Sequence, residues 1–301
     1  MGQAGGVRVG VCIIPTDPWP TAVEQARHVE ALGFDHLWTY DHLSWQHYRD
    51  EPWFGAIPWL TGLAGATERI RLGTLVCSPN FREPLTLAKD AIALDHVSGG
   101  RFVLGVGAGG VGWDATVYGG EPIAPAARTA RFVEMVEALD GLLTHGEYSY
   151  TGHHYVIADA RTLPGPLQQP RLPLAVAAAG PKALALAARH GDAWITIGDP
   201  WHDGSAAGIE RAVRDQVHRL EDACAAIGRD PVELDRILLT GAGDDRPLAS
   251  VDAFTDFAGR YADAGITDLV LHHPRAGDPH WDDPPDSLDR VAVLLPELRA
   301  G

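Results

Sequence analysis

Four short segments carry residue types that could do chemistry. Tyr40-Asp41-His42-Leu43-Ser44-Trp45 sets a carboxylate beside an imidazole, with an indole close behind. Histidine titrates near neutrality and is the usual general acid or base, and a neighbouring carboxylate can fix its tautomer. Asp41 is expected to do this for His42, with Trp45 beside them. Ser78-Pro79-Asn80-Phe81-Arg82-Glu83-Pro84 reads as a polar rim around a cofactor, or as a proline-fixed turn that starts a helix. Gly105-Val106-Gly107-Ala108-Gly109-Gly110 lets a ligand approach backbone N–H groups closely, or is simply a flexible turn. Ala177-Ala178-Ala179-Gly180-Pro181-Lys182 puts small residues at a helix start, where free N–H groups and the dipole favour an anion. Proline there is also ordinary helix grammar.

Other chemistries lack support. No Gly-Lys-Ser/Thr follows the glycines, so they are not a P-loop. A GxGxxG match at Gly105, Gly107 and Gly110 has no acidic residue in a dinucleotide-binding context. His153-His154 and His272-His273 lack the partners or helical spacing of a metal site, and none is expected. No GxSxG elbow occurs, which leaves a serine esterase unsupported.

The four segments follow strand-like stretches. Val7 to Ile14 is β-branched and apolar, like a strand buried on both faces. Phe34 to Tyr40, Ile70 to Cys77 and Arg101 to Val106 read the same way. So do Leu174 to Ala178, Ala193 to Ile197, Arg236 to Gly241 and Asp268 to His273. Helical stretches alternate with them: Pro20 to Leu32, Ile57 to Ala66, Leu85 to Val97, Pro125 to Leu143, Pro181 to His190, Gly208 to Ile227, Val251 to Ala264 and Ser287 to Arg299. Gly146 to Ile157 reads as a hairpin turning at Thr151-Gly152, followed by the Pro-rich link LPGPLQQPRLP. Eight alternating strands and helices, with the hairpin and link as an insertion, predict a (β/α)8 TIM barrel. An open doubly wound sheet would want its glycine turn after the first strand, where Pro15-Thr16-Asp17-Pro18 stands instead. In a barrel the chemistry sits at the C-terminal strand ends, where all four segments fall.

Composition narrows the partners. The 301 residues carry 24 Lys+Arg against 40 Asp+Glu, a net charge of -16, which disfavours nucleic acid and anionic membranes. No apolar run approaches the roughly 20 residues of a spanning helix. The N-terminal MGQAGGVRVGVCIIP has no basic region leading into an apolar one, so no secretory leader is expected. Three widely spaced cysteines, Cys12, Cys77 and Cys224, argue against a disulfide framework and for a reducing cytoplasm.

In this order the segments resemble one family. ALGFDHLWTYDHL (31–43), ERIRLGTLVCSPNFREPLTLAKDAIALDHVSGGRFVLGVGAG (68–109) and AAAGPKALALAARHGDAW (177–194) are similar to the bacterial luciferase-like oxidoreductases. That group holds flavin-dependent monooxygenases and enzymes of the deazaflavin coenzyme F420. The resemblance runs over nearly the whole chain and implies one luciferase-like barrel domain over 1–301, with the insertion at about 144–173.

The resemblance further implies a ring site at the end of the third strand, with a non-proline cis peptide at Leu75–Val76 and Ser78 nearby. Gly107, Ala108, Gly109 and Asp114, with Ala177, Ala179, Gly180 and Pro181, would cradle the ribityl chain and phosphate. A deazaflavin carries an oligoglutamate tail beyond its phosphate whereas FMN ends there, and Arg82, Lys182 and Arg189 could serve either. Asp41 and His42 would face the reactive ring edge. Trp45 falls within one residue of a tryptophan that some deazaflavin dehydrogenases use beside this histidine. Where sugar-phosphate-oxidising relatives carry a glutamate, this chain has Gly110, and Asp114 is the nearest carboxylate. The basic residues those relatives use are not evident near Ile197–Pro200.

The expected activity is hydride transfer between F420 and a small organic substrate. The alternatives are an FMN-dependent monooxygenase fed by a separate reductase, and a non-catalytic flavin-binding relative. Trp45, Trp53, Trp113 and Trp201 in strand-end loops point to an apolar or aromatic substrate. A homodimer is implied by the family.

Overall fold

The computed structural model describes residues 6–301. The first five residues, on which the reading of the leader partly rests, lie outside the described residues. In chain order the first half runs β1 (Arg8–Cys12), α1 (Trp19–Ala31), β2 (His36–Thr39), α2 (Ala56–Ala66), β3 (Arg71–Thr74), α3 (Pro84–Ser98), β4 (Phe102–Val106) and α4 (Pro125–Thr144). The hairpin β5 (Glu147–Thr151) and β6 (Val156–Arg161) follows. Then come β7 (Leu174–Ala177), α5 (Pro181–His190), β8 (Ala193–Thr196), α6 (Ala206–Ala225), β9 (Asp235–Leu239), α7 (Val251–Asp263), β10 (Asp268–His272), α8 (Ser287–Ala292) and α9 (Leu295–Ala300).

The strands close in the order β1-β10-β9-β8-β7-β4-β3-β2, all parallel, while β5 and β6 pair only with each other. This is a (β/α)8 barrel. Helices cover its outside, so a strand such as β2 or β10 is buried along its whole length. Alternation sorts the side chains. Val11, Leu37, Leu72 and Leu271 face the helices in one apolar cluster. Cys12, Trp38, Val103, Ile195 and Val270 fill the barrel interior in a second.

Much of the family-like middle block is framework. Gly99 holds φ +65° just past α3, a conformation that favours glycine, and turns the chain into β4. Arg101 then donates to the carbonyls of Ala64, Thr67 and Ile70, locking the end of α2 to the strand that follows it. Asp95, fully buried, accepts from the backbone of Leu167 and Gln168 and pins the Pro-rich link to α3.

Three sequence expectations need correction. The last helix is two, because Pro296 lacks an N–H and its ring would meet the carbonyl of Ala292. The hairpin turns later and its second strand runs on to Arg161. Glu134 of α4 accepts from the N–H groups of His153, His154 and Tyr155, and the turn wraps around that carboxylate. The third strand's ladder stops at Thr74 and resumes only as a single bridge between Cys77 and Val106. Among the described residues no helix is long and apolar enough to cross a membrane.

Candidate active site

The C-terminal strand ends converge on an aromatic-walled mouth. β2 delivers Tyr40, Asp41 and His42 just beyond its last residue. The peptide Leu75–Val76, directly after β3, is cis, as the resemblance implies. After β4, Gly107 lies between its neighbours: a Cβ there would stand 2.6 Å from Val76 and 3.4 Å from Ala177. Leu75, Val76 and Ala177 belong with Tyr40, Trp45 and Trp281 to the inner apolar cluster. Those expected cofactor residues are therefore brought together.

The expected partner of His42 is corrected. His42 Nδ1 meets Asp114 Oδ2 at 2.5 Å, and the other Asp114 oxygen accepts from the Leu43 N–H at 3.0 Å. Asp41 is turned the other way. Its two oxygens receive Arg82 Nε at 2.9 Å and Nη2 at 2.6 Å, a bidentate pair with Asp41 only 1% exposed. Adjacent residues at a strand end point to opposite sides, so the carboxylate that meets His42 comes from elsewhere. Asp114 comes from a 3-10 turn, Trp113–Ala115, in the long link between β4 and α4. Because its carboxylate only accepts, Nδ1 carries the proton and Nε2 is left to exchange one.

Burial works against the charge of Arg82, but the Asp41 hydrogen bonds and charge outweigh it and hold the guanidinium protonated. Burial pushes up the thiols of Cys12 and Cys77, which removes both as nucleophiles near neutral pH.

A cavity of about 580 Å³ opens at the mouth, lined by Tyr40, Trp45, Trp201, Thr240, His272 and Trp281 among others. Trp45 lies 5.1 Å from Tyr40 and 6.2 Å from His42 between ring centres, and stacks on Trp281 at 5.6 Å. Of the four tryptophans expected to line a pocket, Trp45 and Trp201 do. Trp53 packs behind, against Tyr48 and His42. Trp113 is exposed, with the Arg49 guanidinium over its ring.

The remaining expected residues spread along the rim. Ser78 is buried and its carbonyl accepts from the Arg82 N–H. Ala108 packs toward the helices instead of the interior. Gly109 holds φ +77° against Asn80, where a Cβ would stand 2.8 Å from that side chain. Ala179, Gly180 and Pro181 are exposed at the start of α5, and no side chain caps that helix. Nothing stands within 4 Å of where a Gly180 Cβ would be. An uncapped helix start in open space has the room and the donors for a phosphate, so the residues fit that end of a flavin-type cofactor.

Sequence reasoning missed Trp281 and the role of His272. His272 ends β10, so the strand-end rule could have flagged it. Its Nε2 is engaged by the Tyr40 hydroxyl at 2.7 Å. Trp281 sits in an aperiodic loop with nothing local to mark it.

Comparison with known proteins places this geometry. The luciferase-like monooxygenase family matches residues 2–243. An F420-dependent glucose-6-phosphate dehydrogenase of Amycolatopsis mediterranei (strain U-32) is 35% identical over 176 residues, 58% of this chain and about half (52%) of that relative. One of the same name from Beutenbergia cavernae is 30% identical over 316 residues, covering 90% of this chain and 91% of the relative. A solved F420-dependent secondary alcohol dehydrogenase, in complex with an F420-acetone adduct, has the same fold. It superposes with a TM-score of 0.80 at 19% identity, covering 98% of this chain and 99% of the other. The chain belongs to the luciferase-like monooxygenase family.

Proposed function

We propose that this enzyme transfers a hydride between coenzyme F420 and a small, apolar, aromatic substrate bearing an alcohol, ketone or enone. The observation that carries the reading is the Asp114–His42 pair, whose imidazole lies against Tyr40 and Trp45 in the wall of an aromatic cavity. The F420-dependent relatives support the choice of cofactor.

The coenzyme, when bound, supplies a two-electron carrier. The protein's part is to hold the reactants and handle the proton. An alcohol that loses hydride from carbon must lose a proton from oxygen, and His42 Nε2 accepts it. In the opposite direction the imidazolium returns that proton to a ketone oxygen. Asp114 keeps the ring turned for this and steadies its charged form. Leu75, Val76, Gly107 and Ala177 offer a smooth apolar wall for a planar ring system. The start of α5 offers the phosphate site. Tyr40 and Trp45 give the substrate side an apolar wall.

The test is a titration followed by turnover. Oxidised F420 should bind with a change in its visible spectrum, and more tightly than FMN. Reduced F420 should then be oxidised by hydrophobic ketones or enones and not by sugar phosphates. Binding of FMN alone, or turnover confined to sugar phosphates, overturns the proposal.

A further inference from the structure

Exposed aromatic rings are confined to one face of the barrel. Among the described residues the exposed Trp, Tyr and Phe side chains are Trp19, Phe54, Trp113, Tyr118 and Trp201. Trp19 follows β1, Phe54 follows β2, Trp113 and Tyr118 follow β4, and Trp201 follows β8, so each stands at the C-terminal strand ends, where the site lies. The exposed apolar residues of the opposite end are aliphatic, Val97, Ile227 and Val232 among them. Single exposed apolar residues are ordinary, but aromatics gathered on the face that holds a cavity mark a contact surface.

Trp201 differs from the other four. It lines the cavity together with Tyr40, Trp45 and Trp281, yet it is 84% exposed, so most of its indole faces water. Tyr40 and Trp281 are 7% and 5% exposed. The cavity wall is thus made of buried rings and one nearly bare ring. The backbone that carries the bare ring is anchored on both sides. Gln216 Nε2 donates to the Gly198 carbonyl at 3.1 Å, and the Asp244 N–H donates to the Gly204 carbonyl at 3.1 Å. A compound confined among the buried rings leaves most of the Trp201 indole in water. An indole offers one of the largest apolar areas of any side chain, and covering it adds affinity. Charge narrows what covers it. Asp244 and Arg246 line the same cavity with opposite signs, and Asp199 stands two residues before Trp201, so nothing there favours an anionic end group.

We propose that the substrate is longer than the cavity. Its reacting ketone or alcohol and its aromatic ring lie inside, against Tyr40 and Trp45, and an uncharged apolar chain runs out over the Trp201 indole. This rests on the aromatic-substrate reading above and adds a length requirement: the small aromatic group of that reading is the head of an extended molecule.

The probes are acetophenone and its para-butyl and para-octyl derivatives, titrated against the enzyme holding oxidised F420. A methylene wholly removed from water is worth about fourfold in affinity, and one laid against a single indole face about twofold. The octyl ketone should therefore bind roughly tenfold more tightly than the butyl ketone. Trp201→Ser should erase that difference, and Trp201→Phe, which keeps an apolar ring, should retain most of it. Equal binding of the butyl and octyl ketones, or a difference that survives Trp201→Ser, overturns the extended site alone. So does a dimer, seen in sedimentation, that Trp201→Ser dissociates, because a second copy then covers the indole. Binding of none of the three ketones overturns the extended site together with the aromatic-substrate reading.

Discussion

Two buried histidines stand at opposite ends of the barrel, each beside a tryptophan, and they are wired differently. His36 opens β2 at the N-terminal end. Its Nδ1 accepts from Trp38 Nε1 at 2.6 Å, and its Nε2 meets Asp268 at 3.1 Å. Asp268 in turn receives Arg8 at 2.8 and 2.7 Å and the Thr267 hydroxyl at 2.6 Å. Gly10 and Gly73 make the room, since a Cβ on either would collide with His36 or Trp38. Every polar atom of this imidazole is used. At the C-terminal end His272 has one nitrogen on Tyr40 and one with no partner among the described residues, and the Trp281 indole N–H is likewise unpaired among them. A closed network rigidifies a fold, and an open one holds it less firmly. Substitutions at the base should therefore cost stability, and those at the mouth should cost function.

The largest effect is expected at the base. His36→Leu leaves the Trp38 indole buried without its partner and takes one of the donors from Asp268, which keeps Arg8 and Thr267, at a cost of about 3 kcal/mol. Urea unfolding measures it, and turnover per folded molecule should be unchanged. A loss under about 1 kcal/mol would break the comparison, because a closed network that costs nothing to open is not a structural device.

At the mouth, His42→Gln should lower turnover by about 100-fold or more, the scale of lost acid–base help, with F420 affinity and melting temperature near the parent's. Asp114→Asn should lower turnover less, by roughly tenfold, since it weakens the partner but keeps a group there. Near-parent turnover in His42→Gln would make this histidine scaffolding and leave the proton to Asp114 or water.

The base network also sets an acid limit. Burial opposes the charge of Asp268, but the His36 hydrogen bond and then Arg8 outweigh it and hold the carboxyl at about 2 against an ordinary 3.8. A carboxyl lowered in the folded state adds stability above its unfolded value, and that stability is lost as pH falls through the folded value. The contribution is about 2 kcal/mol above pH ~4, fading toward pH ~2. Unfolding free energies measured across that window should fall less steeply in Asp268→Asn than in the parent. Parallel slopes would refute the assignment.

The barrel was legible because each strand is an apolar run and each helix has a periodic face. The strand-end rule then pointed to His42, Gly107 and Ala177, and the family resemblance to Leu75–Val76. The pairing of those residues was not legible. Asp41 is next to His42 in sequence, yet it serves Arg82, while Asp114 arrives 72 positions later from a turn with no periodicity. Neighbours in sequence diverge at a strand end, and partners across the mouth are set by tertiary contacts alone. Trp281 shows the same limit, for its only signature is the ring it stacks on. The residues most visible as family motif, Asp95 and Arg101 among them, turned out to hold the frame.

The smallest effect gives the sharpest test of the comparison. His272→Leu removes the partner of the Tyr40 hydroxyl, which is unfavourable. It also removes a buried nitrogen that the protein itself leaves unsatisfied, which is favourable, and an apolar side chain suits the stack against Trp281. The two terms nearly cancel, so the net loss should be about 1 kcal/mol or less, a few degrees at most in melting temperature. His36→Leu has no such compensation, because both of its ring nitrogens are engaged. Measured side by side under one set of conditions, the two variants should differ by at least about 2 kcal/mol in unfolding free energy. If His272→Leu costs as much as His36→Leu, the histidine at the mouth is as structural as the one at the base.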